Sequence, residues 1–157
     1  MNYSIRKYEY NDGNKVVDIF NYFVENDFSA FPDKPIGYEY AEMFEKMTTG
    51  YPYYVIETDA KEIIGFAWLH PFHHAGTFKR TAEITYFILT DHTRKGLGSK
   101  VMSLMLSEAV NIGIDKILAR ISSKNQKSLD FHFKNGFYQC GCFKAVGKKF
   151  NTDFDMI

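Results

Sequence analysis

The sequence predicts a mixed α/β fold, formed by a single domain over residues 1–157. The chain has 157 residues, 45% of them hydrophobic and 17% aromatic, which is enough for one packed core. Apolar residues recur with strand-like and helix-like periods in the order β-α-α-β-β-β-α-β-α-β-β. Two apolar runs joined by a short polar turn also indicate a β-hairpin in the middle of the chain.

The first elements are a strand over residues 4–10 and a helix that Asn11 or Asp12 can cap. The prolines and the glycine of residues 31–37 indicate a loop. A second helix is predicted over residues 38–47, ending near Gly50. The apolar face of the first helix consists of Val16, Val17, Ile19, Phe20, Phe23 and Val24.

The predicted hairpin joins strands over residues 53–57 and 63–69 through a polar turn. A third strand is expected over residues 82–89. The helix that follows extends to Ile112, where Gly113 ends it.

The C-terminal part begins with a strand over residues 116–121 and a helix over residues 123–134. The last two strands are predicted over residues 137–146 and 150–156. In the first of these, Cys140 and Cys142 would point to one face. Two such cysteines are too few for a usual zinc site and favour a reduced, cytoplasmic setting.

Composition argues against several classes of partner. The formal net charge is zero, so no general affinity for nucleic acid is expected. No apolar run approaches the ~20 residues of a membrane helix, and residues 1–6 lack a secretory apolar stretch, so no membrane association is expected.

The most informative segment is residues 94–99, a basic, glycine-containing turn between an apolar strand and a long apolar helix. The first backbone N–H groups of a helix lack internal partners, and the helix dipole favours an anion there. Arg94 and Lys95 add positive charge. The segment therefore predicts a site for a phosphate-bearing ligand, with a glycine turn that binds nothing as the alternative.

Two familiar phosphate loops do not fit this segment. A P-loop requires a lysine before its Ser or Thr, whereas here Lys100 follows Ser99. A dinucleotide-binding fingerprint requires a third glycine, and that position is Val101.

Residues 93–98 resemble the pyrophosphate loop of the GCN5-related N-acetyltransferases, Gln/Arg-x-x-Gly-x-Gly/Ala, with Thr93 at the first position. Residues 125–137 resemble the second motif of that superfamily, Asn-x-x-Ser-x-x-Leu-Tyr/His-x-x-x-Gly-Phe. Glu83, the histidine of the second motif and the ending over residues 146–155 resemble the phosphinothricin acetyltransferase-like branch. The resemblance implies a mostly antiparallel twisted sheet with about four helices, acetyl-CoA as acetyl donor and transfer to an amine. It also implies a homodimer.

The resemblance also implies cofactor-binding residues. Backbone groups at the end of the third strand would hold the pantetheine arm and polarise the acetyl carbonyl. Asn125 would bind the cofactor or a neighbouring strand, with a helix N-cap as the equal alternative. The strand residues are Tyr86, Phe87 and Ile88, and the amides of Arg94, Lys95, Gly96, Leu97, Gly98 and Ser99 would hold the pyrophosphate.

Two residues are predicted to be catalytic. The resemblance places the general base at Glu83, a charge within an apolar strand, with a solvent-facing glutamate as the alternative. His132 stands where many relatives carry a tyrosine general acid. It would protonate the thiolate, line the amine site, or be an ordinary helix histidine.

The acceptor site is predicted from Phe31, Phe72, His73 and Lys79. His73 stands where the branch typically has an arginine that pairs with the substrate carboxylate, and histidine replaces a bidentate guanidinium poorly. Amino-acid-like substrates are therefore in doubt. No metal is expected at His70, His73 and His74, because no acidic or cysteine partner lies at regular spacing.

The leading hypothesis is an acetyl-CoA-dependent N-acetyltransferase whose small amine substrate attacks the thioester directly, with Glu83 as base. A protein lysine or N-terminal acetyltransferase and a non-catalytic acyl-CoA-binding module stay open as alternatives.

Overall fold

The computed structural model describes residues 2–157, which form two compact units. The first unit runs to Ile19 and from Gly37 to Ala119, and the second comprises Phe20–Ile36 and Arg120–Ile157. The four α-helices are α1 (Gly13–Asn26), α2 (Tyr40–Met47), α3 (Leu97–Asn111) and α4 (Gln126–Lys134). The strands are β1 (Tyr3–Lys7), β2 (Tyr53–Thr58), β3 (Ile63–Pro71), β4 (Thr81–Ile88), β5 (Lys116–Leu118), β6 (Phe143–Lys149) and β7 (Thr152–Met156).

The first unit contains a five-stranded sheet in the order β1-β2-β3-β4-β5. The first three ladders are antiparallel and the β4–β5 ladder is parallel. This arrangement confirms the prediction of a mixed, mostly antiparallel sheet. The β4–β5 ladder is short, running from Thr81 opposite Lys116 to Glu83 opposite Leu118.

Strand β3, at the centre of the sheet, contributes much of the core of this unit. Every residue of β3 from Ile63 to Leu69 is buried, which explains why its sequence is a continuous apolar run rather than an alternating one. Gly65 lies against β4, where an added Cβ would be 2.6 Å from the carbonyl oxygen of Phe87. Glycine at position 65 therefore permits the close approach of β3 and β4.

The second unit contains the β6–β7 hairpin. Lys149 pairs with Thr152 across a two-residue turn in which Phe150 and Asn151 have φ angles of 48° and 55°. Two positive φ angles are typical of the type I′ turn that matches the twist of a hairpin.

The predicted strand over residues 116–121 is only partly right. Residues 116–118 pair with β4, whereas Ile121 exchanges backbone hydrogen bonds of 2.9 and 2.8 Å with Ile157. The chain leaves the first sheet after Leu118 and joins the end of β7. A single apolar run thus supplies two different strand pairings.

The predicted strand over residues 137–146 is wrong in its first half, because β6 begins at Phe143. Strand β7 has five residues, and its ladder pairs it with residues 143–149. Cys140 and Cys142 therefore do not share the face of a strand. Both are free thiols, the first exposed and the second half-buried.

Two further boundaries differ for reasons visible in the hydrogen bonds. The first strand ends at Lys7, because the Asp12 carboxylate accepts the Glu9 N–H at 2.8 Å and a 3₁₀ turn forms over Tyr10–Asp12. Helix α4 begins at Gln126 rather than at residue 123, because Asn125 is its N-cap. Among residues 2–157, no helix is long and apolar enough to cross a membrane.

Candidate functional site

The turn between β4 and α3 has the backbone geometry of an anion site. Thr93 closes a 3₁₀ turn over Thr90–His92 by donating its hydroxyl to the Thr90 carbonyl at 2.8 Å. Arg94 and Gly96 have φ angles of 61° and 76°, the left-handed backbone conformation found in anion-binding nests. Gly96 is the N-cap of α3 and offers no side chain to the first helical amides.

Charges around this turn favour a phosphate. The first turn of α3 carries no acidic residue, so nothing there competes with an external anion for the helix dipole. Arg94 and Lys95 are both exposed. The local structure therefore fits the pyrophosphate-binding turn predicted from residues 94–99, whose amide donors are the backbone N–H groups.

A polar cluster links this turn to the first strand of the sheet. The Tyr3 hydroxyl accepts a hydrogen bond of 2.8 Å from Nζ of Lys95. It also lies 3.0 Å from Nδ1 of His92. The ammonium of Lys95 lies 5.4 Å from the centre of the Tyr3 ring. Lys95 is thus held by a residue that the sequence motif does not contain.

Glu83 lies on β4 and is 7% exposed. It is therefore not the solvent-facing strand glutamate that was the alternative interpretation. In the β3–β4 ladder Glu83 lies directly opposite His70, and Nε2 of His70 is 4.0 Å from Oε2 of Glu83. The predicted cofactor strand continues from here through Tyr86, Phe87 and Ile88, which pair with β3.

The predicted acceptor residues of the first unit lie in the connection between β3 and β4. Phe72 and Phe78 make an edge-to-face contact at 5.7 Å. Nδ1 of His73 accepts the Ala75 N–H at 3.0 Å, and its ring lies 5.0 Å from that of Phe78. Lys79 is exposed. These residues form one exposed, partly aromatic loop.

Asn125, in the second unit, uses its side chain at the start of α4. Its Oδ1 accepts the Ser128 N–H at 3.2 Å, and its Nδ2 donates to Oγ of Ser29 at 3.0 Å. The N-cap interpretation is confirmed. A role of Asn125 toward the cofactor stays a prediction.

His132 is buried in α4, with 4% of its surface exposed. Its Nδ1 donates to the Ser128 carbonyl at 2.7 Å, which leaves the lone pair of the neutral ring on Nε2. Burial lowers the pKa of His132. Burial therefore favours the neutral ring over the imidazolium.

Phe31 belongs to an aromatic cluster of the second unit and stacks on Phe154 at 6.0 Å. Beside this cluster the buried ammonium of Lys149 donates to the carbonyls of Asp27 at 2.6 Å and Ala30 at 2.7 Å. These bonds fix the chain between the end of α1 and Phe31. Burial lowers the pKa of Lys149.

The predicted site residues thus fall into two sets. The first unit contains Glu83, Tyr86, Phe87, Ile88, the turn over residues 94–99, Phe72, His73 and Lys79, and the second contains Phe31, Asn125 and His132. Within residues 2–157, no group of three or more histidine, cysteine, aspartate or glutamate side chains is arranged to hold a metal ion.

Sequence reasoning missed the partners of two of these residues, namely His70 beside Glu83 and Tyr3 beside Lys95. The hairpin pattern alone does not reveal the first pair, because the irregular residues 72–80 leave the β3–β4 register open. The second pair, Tyr3 and Lys95, joins residues that are 92 positions apart in the chain, so no local pattern indicates it.

Comparison with known proteins supports the same family over most of the chain. The model of the acetyltransferase (GNAT) family matches residues 16–137. An L-amino acid N-acyltransferase of Escherichia coli strain K12 is 34% identical over 114 residues, covering 72% of this chain and 66% of that enzyme. A phosphinothricin N-acetyltransferase of Streptomyces viridochromogenes is 27% identical over 135 residues, covering 85% of this chain and 73% of that enzyme.

Among solved structures, that of the Salmonella typhimurium protein yncA with its cofactor acetyl-CoA is 26% identical to this chain. The two superpose with a TM-score of 0.91, covering 99% of this chain and 91% of the other. The strand–turn–helix geometry, the matched family model and these relatives agree: the chain belongs to the GNAT acetyltransferase family, in its phosphinothricin acetyltransferase-like branch.

Proposed function

We propose that this protein transfers the acetyl group of acetyl-CoA to the amine of a small molecule by direct attack, with Glu83 as general base. The observation that carries the proposal is the buried carboxylate of Glu83 on the strand that leads into the anion-binding turn. Relatives that act on L-amino acids and on phosphinothricin support a small amine as acceptor.

Groups of this chain serve every step of the proposed reaction except the protonation of the leaving thiolate. Glu83 takes a proton from the amine as its nitrogen attacks the thioester carbonyl, the new C–N bond forms and the C–S bond breaks. Backbone groups of Tyr86, Phe87 and Ile88 hold the pantetheine arm and polarise the carbonyl. The pyrophosphate binds the amides of residues 94–99, and a role of Asn125 toward the cofactor stays a prediction. The leaving thiolate takes its proton from solvent.

His132 is assigned to the acceptor amine rather than to the thiolate. The ring donates Nδ1–H to the Ser128 carbonyl, and burial lowers the pKa of His132. A general acid would have to be the imidazolium, which burial disfavours.

The acceptor site combines aromatic surface with weak positive charge. In the first unit Phe72 supplies an apolar contact, His73 lacks the fork of an arginine, and Lys79 supplies a cation, while the role of Phe31 in the second unit stays a prediction. A carboxylate on the substrate therefore contributes less binding energy here than it would at an arginine.

The test is a thiol-release assay with purified protein and acetyl-CoA. Acceptors are L-amino acids, phosphinothricin, methionine sulfoximine, the decarboxylated amines with the same side chains, and lysine-containing peptides. We expect turnover on free small amines, with a modest advantage for those that carry a carboxylate. Turnover on peptides alone would identify a protein acetyltransferase. Binding of acetyl-CoA with no turnover on any acceptor would identify a binding module.

The base is tested with Glu83→Gln, which keeps the size of the side chain and removes its basicity. Turnover should fall by about 10²- to 10⁴-fold with little change in the KM for acetyl-CoA. Glu62→Gln, at an exposed glutamate in the turn before β3, is the matched control and should leave turnover unchanged. A Glu83→Gln protein with normal turnover contradicts the proposed role.

We further infer a cytoplasmic single-domain protein that forms a homodimer. The free thiols of Cys140 and Cys142 support a reducing compartment. Light scattering on the purified protein measures the mass in solution, and a monomer at micromolar concentration would contradict the dimer.

A further inference from the structure

His70 on β3 and Glu83 on β4 form a cross-strand pair. The two residues lie directly opposite each other in the antiparallel β3–β4 ladder, so their side chains project from the same face of the sheet. Nε2 of His70 is 4.0 Å from Oε2 of Glu83, and the two side chains are 14% and 9% exposed. The imidazole thus lies beside a carboxylate in a poorly hydrated part of the site.

A second contact of His70 fixes where its ring proton sits. Nδ1 lies 3.0 Å from the carbonyl oxygen of Pro71. A carbonyl oxygen only accepts hydrogen bonds, so Nδ1 carries the hydrogen. In the neutral ring the lone pair is then on Nε2, the nitrogen that faces Glu83. The imidazole is oriented to receive a proton from the carboxyl group.

We propose that His70 is a positioning residue that acts through Glu83, by accepting the proton that Glu83 has taken from the acceptor amine. This inference rests on the proposed function. After the amine proton has reached Glu83, the carboxylic acid O–H donates to Nε2 of His70. Transfer breaks that O–H bond, forms Nε2–H, and leaves an imidazolium beside a regenerated carboxylate. The imidazolium then releases one proton to water.

The distance of 4.0 Å is longer than a direct hydrogen bond and is spanned by a small rotation of either side chain or by one water molecule. Hydrogen bonds of an active site without substrate are commonly longer than those of the substrate complex. Because the Nδ1–H group of His70 keeps its hydrogen bond to the Pro71 carbonyl, the rotation leaves Nε2 directed at Glu83.

The first experiment is a double-mutant cycle with His70→Gln and Glu83→Gln, in the full chain, using the best acceptor amine. Glutamine can hydrogen-bond Glu83 but cannot take its proton. We expect His70→Gln to lower kcat by about 10- to 100-fold, with the KM for acetyl-CoA unchanged. The double variant should be no slower than Glu83→Gln alone, because two residues that act as a unit are not additive. Glu62→Gln, the exposed control already used for the base, is the control here as well.

The outcomes separate this inference from the proposed function. Slow turnover of Glu83→Gln with normal turnover of His70→Gln overturns the role of His70 and leaves the base in place. Normal turnover of Glu83→Gln overturns both. A double variant slower than Glu83→Gln by the full effect of His70→Gln shows that His70 acts independently and also overturns the inference.

A second measurement does not depend on the folding of a His70 variant. Two-bond ¹H–¹⁵N NMR spectra of the wild-type protein report which ring nitrogen of His70 carries the hydrogen. We expect the Nδ1–H form in the neutral ring and a change in the Nε2 shift in Glu83→Gln. An Nε2–H form, or an Nε2 shift that is the same in both proteins, overturns the inference.

Discussion

The hydroxyl of Tyr3 in β1 accepts a hydrogen bond of 2.8 Å from Nζ of Lys95, which lies 92 positions later in the anion-binding turn. The same hydroxyl lies 3.0 Å from Nδ1 of His92, which ends the 3₁₀ turn just before the anion-binding turn. One phenol therefore holds two residues on the approach to α3. Because the N–H groups of this turn are the predicted pyrophosphate ligands, we expect Tyr3 to affect cofactor affinity, although it belongs to neither sequence motif.

We expect Tyr3→Phe to raise the KM for acetyl-CoA by about three- to tenfold and to leave kcat nearly unchanged. The variant keeps the ring and removes only the hydroxyl, whose lost hydrogen bonds are worth about 1 kcal/mol. Steady-state kinetics with acetyl-CoA varied at saturating acceptor measures the change. Tyr10→Phe removes the hydroxyl of a tyrosine that is 73% exposed, and it should leave the KM for acetyl-CoA and kcat unchanged. An equal rise of the KM in the two variants would contradict the role of Tyr3.

Gly96→Ala tests the backbone of the turn. Gly96 has a φ angle of 76°, and an added Cβ would have no atom within 4 Å, so the substitution introduces strain without a clash. We expect a loss of about 1 kcal/mol of stability and at least a tenfold rise in the KM for acetyl-CoA, as the turn relaxes away from the conformation that directs its N–H groups.

Gly113→Ala is a matched control for that strain, since Gly113 has a φ angle of 78° and equally open surroundings at the far end of α3. Urea unfolding should show a similar loss of stability in both variants, while the KM should change only in Gly96→Ala. A cofactor KM unchanged in Gly96→Ala would show that the turn does not bind the pyrophosphate.

Lys149→Met tests the buried ammonium of the second unit. The carbonyls of Asp27 and Ala30 would lose their charged donor, and we expect the free energy of unfolding to fall by about 2–4 kcal/mol. Chemical unfolding in urea measures this loss. Lys148→Met, next to it, removes an exposed lysine whose ion pair with Asp153 is 3.4 Å long, and should cost less than about 1 kcal/mol. Equal losses in the two variants would argue against the buried contacts.

A fourth prediction concerns acid stability. Hydrogen bonds from Lys61, Arg6 and Ser4 lower the pKa of Glu57 from its ordinary 4.5 to about 2. A carboxylate with a lowered pKa in the folded state stabilises the protein above its ordinary pKa, and this contribution is lost as the pH falls toward the lowered value. Glu57→Gln should therefore be destabilised at pH 7, by about 1–3 kcal/mol.

The difference between wild type and Glu57→Gln should shrink steadily between pH 5 and pH 2, as the unfolded wild-type chain takes up a proton there. Urea unfolding at several pH values measures it, with the exposed Glu62→Gln as control. A difference that is the same at pH 7 and at pH 3 would mean that the lowered pKa of Glu57 does not contribute to stability.

Much of the fold was readable from local patterns. The hairpin over β2 and β3, the helix α3 and the turn before it depend on apolar periodicity, glycines and nearby charges, which act within a few residues. The predicted strand over residues 137–146 failed because apolar and aromatic residues there resemble a strand, although a strand forms only where a ladder partner exists. Strand β7 supplies that partner from Phe143 onward.

The candidate site divides in the same way. Three features could be predicted because each is contiguous in the chain: the order of the elements, the glycine-containing basic turn and the two motifs that identify the acetyl donor. Three contacts could be seen only in the folded chain: His70 lies opposite Glu83, Tyr3 accepts a hydrogen bond from Lys95, and Lys149 donates to the carbonyls after α1. Strand register and long-range contacts settle such pairs, and a shift of one residue in a ladder would turn His70 to the other face of the sheet.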